Sequence, residues 1–65
     1  MIKVTRLNGS EYVINAHQIE SIEATPDTVI TLISGRKLVV QESVDKIIQD
    51  VIEYRRKLGT FSQEE

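Results

Sequence analysis

Cysteine is absent from the chain, which excludes a disulfide framework, a thiolate zinc site, a cysteine nucleophile and a redox pair. Tryptophan is absent too, and the aromatics are only Tyr12, Tyr54 and Phe61, too few and too scattered for a platform that stacks nucleobases. The three glycines, Gly9, Gly35 and Gly59, stand alone as punctuation, so no loop can cradle a phosphate. The one histidine, His17, has no acidic or histidine neighbour at metal-ligand spacing, and reads as a solvated loop residue. No Ser, His and Asp spacing suggests a nucleophilic site, and no apolar run is long enough for a signal peptide or a membrane span. Catalysis, a cofactor and a small-molecule substrate are therefore not expected, and the chain reads as cytoplasmic without membrane insertion.

Charge of one sign is missing as well: 8 Lys and Arg stand against 10 Asp and Glu, a formal net of −2. A nucleic-acid module normally carries a basic excess to neutralise phosphates, so this balance counts against one. Glu20, Glu23 and Asp27 could be drawn as a metal cluster, but oxygen-donor sites need more converging ligands than this segment offers, and a solvated strand face explains them more simply. Arg55, Arg56 and Lys57 form a short basic run that offers a contact for RNA, lipid headgroups or an acidic protein; complementing a helix dipole accounts for it more readily.

With 65 residues the chain forms one domain that buries only roughly 60% of the surface its unfolded form exposes. Small domains of this kind usually need a staple, and with disulfides excluded the remaining one is oligomerisation. Asn8-Gly9 predicts a hairpin joining "IKVTRL" to "EYVINA"; if these two are the loop, Arg6 faces Glu11 and Val4 faces Val13. A short strand is expected over residues 18 to 24, with Pro26 and Asp27 reversing the chain between Thr25 and Thr28. Gly35 turns "VITLIS" into "KLVVQE". From Ser43 the period changes: Val44, Ile47, Ile48, Val51, Ile52 and Leu58 form a helical stripe, with Ser43 as N-cap, Asp45 in the first turn, a Glu53–Lys57 pair, and Gly59 as a stop. The fold class is α+β, a small antiparallel sheet of four to five strands, as two hairpins or a meander, followed by one C-terminal amphipathic helix. The domain is expected to span residues 1 to 59, with 60 to 65 as a flexible tail whose Phe61 could dock.

The two strands around Gly35 are apolar on both faces. With a three-residue loop, Ile30, Leu32, Leu38 and Val40 share one face, while Val29, Thr31, Ile33, Lys37, Val39 and Gln41 share the other; a two-residue loop would reshuffle the sets without making either face polar. One helix covers one face. Burying a Val, Leu or Ile side chain is worth ~1.5–3 kcal/mol, so the second face calls for a cover: a curled barrel, another copy of the chain, or a different protein. Self-association through Val29, Thr31, Ile33, Val39 and Gln41 is the expectation.

The segments "VTRLNG", "IESIEATPDTVITLISG" and "VVQESVDKII" carry a resemblance to the small FlbD flagellar family, also called SwrD, over residues 1 to about 58. The chain departs from the family pattern around Ala16 and His17, where a proline or an acidic residue is usual. The resemblance implies a cytoplasmic, non-enzymatic accessory of bacterial flagellar motility, peripheral to the motor, associated with swarming and motor power, with flagellar motor or stator proteins as partners and the stator units, or their assembly into the motor, as the target. No functional residue carries over from it; Asn8, Gly9, Pro26, Asp27 and Gly35 match as turns. From another class, a small RNA-binding regulator of motility genes gains ground if Lys3, Arg6, Arg36 and Lys37 converge on one surface. A chaperone or adaptor using the apolar face for a membrane-bound client is a third reading.

Overall fold

A computed structural model describes residues 1 to 58. Five strands are followed by one helix: β1 (Ile2–Thr5), β2 (Glu11–Ile14), β3 (Ile19–Ala24), β4 (Thr28–Leu32), β5 (Lys37–Val40) and α1 (Val44–Lys57), with a 3-10 turn over Ala16–Gln18 between β2 and β3. The strands form two antiparallel sheets, β1–β2 and β3–β4–β5, so the α+β class expected from the sequence is the one observed. Gly59, Phe61 and the tail over 60 to 65 lie outside the described residues.

The first hairpin differs from the expected register by one residue. Ile2 pairs with Ile14, Val4 with Tyr12 and Thr5 with Glu11, so Arg6 does not face Glu11 and Val4 does not face Val13. The loop is three residues long, closed by the Gly9 N–H donating to the Arg6 carbonyl (2.8 Å) and the Arg6 N–H donating to the Ser10 carbonyl (2.9 Å), with Gly9 at φ +93°. A turn followed by a left-handed glycine is the usual three-residue hairpin. Its register puts Ile2, Val4 and Ile14 together in the core, where the two-residue register would have turned Val13 and Glu11 inward instead.

The second hairpin is built the same way. Leu32 N–H donates to the Arg36 carbonyl and Gly35 N–H to the Leu32 carbonyl (both 2.8 Å), Gly35 has φ +95°, and Ile30 pairs with Leu38. The three-residue loop considered in the sequence is therefore the one present. β3 pairs with β4 through a bulge between Ile19 and Ser21, and the Thr25–Pro26 bond in the turn between them is cis.

The expectation that the helix covers one face of the sheet by itself is corrected by the packing, in which the first hairpin shares that face. The β1–β2 hairpin lies against the three-stranded sheet, and Ile2, Val4 and Ile14 meet Ile30, Leu38, Val40 and Ile47 in one core. The sheets join where Arg6 bridges Val40 and the Gln41 N–H donates to the Thr5 carbonyl (2.7 Å). β2 and β3 do not pair with each other, so the strands do not close into a barrel. α1 packs on β1 and β3, capped by the Ser43 hydroxyl, which accepts from the Lys46 N–H at 3.1 Å. Of the predicted stripe only Ile47 is fully buried; Ile48 (45% exposed) and Ile52 (42%) stay partly open to solvent. The ion pair along the helix joins Lys46 to Asp50 (2.7 Å) rather than Glu53 to Lys57.

Candidate interaction surfaces

The outer face of the three-stranded sheet carries the side chains singled out as the assembly face. Val29 lies opposite Val39 and Thr31 opposite Lys37, all on the side of the sheet away from Ile30 and Leu38. Val29 and Thr31 are half-buried, Val39 is 38% exposed, and Ile33, in the hairpin loop, is 62% exposed. No described segment covers this face, so its apolar area is left over after the chain has packed its own core. Gln41 is placed differently: its side-chain Nε2 donates to the carbonyls of Arg6 (3.0 Å) and Leu7 (3.4 Å), which clasps β5 to the first hairpin.

Next to that clasp stands Glu42, whose Oε1 accepts from the Thr5 N–H at 2.9 Å. Burial pushes its carboxyl upward, but the hydrogen bonds from Thr5 and from its own backbone N–H, with the charge of Lys46, outweigh this and hold it below the ordinary value of 4.5. A second apolar feature runs between β3 and α1, a groove of about 320 Å³ lined by Ile19, Ile22, Ile48, Val51 and Ile52 with Arg55 at its border. Arg55, Arg56 and Lys57 are exposed on the last helical turn, where positive charge complements the carboxyl end of the helix. His17 is exposed and meets Tyr54 edge-on, with ring centroids 5.8 Å apart.

Arg6 and Arg36 approach the same ring, with their guanidinium carbons 5.2 and 5.6 Å from the centroid of Tyr12. Lys3 and Lys37 do not join them. Each lies on the outer side of its own sheet, Lys3 opposite Val13 and 3.9 Å from Glu11, and Lys37 opposite Thr31. Of the four cations considered together in the sequence, the fold thus gathers two. Among the described residues no group of acids and histidines could hold a metal ion, and Glu20, Glu23 and Asp27 are exposed along β3 and its turn.

Over residues 1–59 the chain matches the model of the FlbD family, described as flagellar and swarming motility proteins. The chain belongs to the FlbD family. No curated protein and no solved structure matches it. Membership makes this a small flagellar and swarming-related protein, and no helix among its described residues is long and apolar enough to cross a membrane. Within this FlbD-family fold Asn8, Gly9, Pro26, Asp27 and Gly35 occupy the three turns: the Asn8 side chain accepts from the Ser10 N–H (2.9 Å), and the glycines supply the left-handed positions. Sequence reasoning missed the clasp made by Gln41 and Glu42 and the role of Tyr12 as the meeting point of two arginines. For Tyr12 the signal was the alternation of "EYVI", which sets Tyr12 and Ile14 on one face once the register is known.

Proposed function

We propose that the protein is a non-enzymatic accessory of the flagellar motor, peripheral to it on the cytoplasmic side, which supports motor power through the stator units and acts by self-assembly and protein–protein contact. The observation that carries this reading is the uncovered apolar face of β4 and β5, with Val29, Val39 and Ile33. Several kcal/mol, at ~1.5–3 kcal/mol per covered side chain, is a large gain for so small a domain. The lone His17 meets Tyr54 rather than an acid or a nucleophile, which supports a role without catalysis.

The test is swarming of cells whose only copy carries Val39→Asp with Ile33→Asp. Loss of swarming and of crosslinks to stator proteins is expected, at an undiminished level of the folded variant. Full swarming by a folded, monomeric variant would contradict the proposal. One observation favours an RNA-binding regulator instead, the convergence of Arg6 and Arg36 on Tyr12. That reading requires salt-dependent retention of RNA at micromolar protein; the outward placement of Lys3 and Lys37 and the net charge of −2 weigh against it.

A further inference from the structure

Arg6 and Arg36 stand thirty positions apart, one after β1 and one before β5, yet both come to rest on one tyrosine ring. Neither guanidinium pairs with a described carboxylate, whereas Lys3 and Lys46 each do, at 3.9 and 2.7 Å. Two like charges that share one ring, with no hydrogen bond from either fork of N–H donors among the described residues, offer a receptor for oxyanions, since arginine binds planar carboxylates through paired hydrogen bonds. Leu7, next to Arg6 in the loop, is 54% exposed.

The same chain carries the complementary segment. β3 reads Ile19-Glu20-Ser21-Ile22-Glu23, and Glu20 and Glu23 are exposed and take part in no ion pair among the described residues. β3 is also an edge: β4 pairs with one side of it and no described strand pairs with the other. Three residues of extended chain span about 10 Å. The two guanidinium carbons lie 5.2 and 5.6 Å from one centroid and so are at most about 10.8 Å apart, a limit of the same order. Ile19 and Ile22 of β3 pack against the core, so the two glutamates are what the strand offers a partner; they suit two arginines, whereas a net charge of −2 disfavours a polyphosphate.

We infer that Arg6, Tyr12 and Arg36 form a carboxylate-binding site that takes Glu20 and Glu23 on the edge strand β3 of another copy of this chain. The contact joins two different patches, so it is head-to-tail and either closes into a ring or continues as a filament. It rests on the reading that copies of the chain associate, and adds to the apolar sheet face a second, salt-sensitive contact that sets direction.

The experiment is a charge swap read by light scattering and circular dichroism. One variant carries Arg6→Glu and Arg36→Glu, the other Glu20→Lys and Glu23→Lys; Arg36→Glu alone, at an exposed position, serves if the double change at half-buried Arg6 disturbs the fold. Each folded variant alone is expected to fall to no more than about half the wild-type mass, as high salt should also cause, and an equimolar mixture of the two is expected to regain it. Variants that keep the full mass, or a mixture that stays dispersed, would overturn the inference while leaving assembly through Val39 and Ile33 standing. A wild-type mass of 7.4 kDa at every concentration would overturn both. Salt-dependent RNA retention lost on Arg6→Gln with Arg36→Gln, at unchanged mass, would assign the site to nucleic acid and overturn it too.

Discussion

Gly35 sits at φ +95° with open space where a Cβ would go, so replacing it by alanine strains the backbone and nothing else. Gly35→Ala should cost roughly 1–2 kcal/mol, seen as a lower urea midpoint at unchanged slope; an unchanged midpoint would mean that the loop can adopt another turn. Glu42 gives a pH-dependent counterpart. Its carboxyl is held below the ordinary value, so between the two values the unfolded chain binds more protons than the native one. Its contribution is therefore complete above about pH 4.5 and is lost as the pH falls through the lower native value. The stability gap between wild type and Glu42→Gln should be constant near neutrality and shrink in acid below that point; a gap that survives there would contradict the Thr5 hydrogen bond. Gly9 and Gly35 were legible in the sequence because a glycine between two apolar runs has one common use. Gln41 and Glu42 were not, because a polar side chain at the end of a strand serves solvent or a neighbouring backbone equally well until the neighbour is known.

At the scale of elements, α1 was the plainest part of the sequence: Ser43, Asp45 and the period from Val44 mark its start and its apolar side. The period could not show which half of a broad stripe would meet the core. Ile47 is enclosed by β1 and the sheets, while Ile48 and Ile52 border the groove beside β3. Ile47→Asp should accordingly abolish the cooperative thermal transition in circular dichroism, since an unpaired charge in a fully buried site exceeds the margin of a small domain. Ile52→Asp should leave the transition in place. Equal effects of the two would contradict the packing of the helix. The first hairpin shows a similar limit: Asn8-Gly9 announces a turn, but loops of two and three residues both fit it. The choice falls to the core, which gains Ile14 in place of Val13.

For the whole molecule, the apolar surplus visible in "TVITLISGRKLVV" is resolved in two steps. The first hairpin folds over the inner side of the sheet, which accounts for Ile30, Leu38 and Val40. This packing between segments distant in the chain left no periodic trace, so the sequence credited the helix alone with the inner face. The outer side keeps Val29, Val39 and Ile33 without a cover from the described chain, and there the excess read from the sequence persists in the fold. The proposed function requires that a flagellar family member with such a face act as an assembly of copies. Molar mass in solution tests this most directly, measured by light scattering across a range of concentrations for wild type and for Val39→Asp with Ile33→Asp. The account predicts a wild-type mass that is a multiple of 7.4 kDa and a folded variant that falls to a smaller species. A wild-type protein that stays at 7.4 kDa throughout, or a folded variant of unchanged mass, would contradict it.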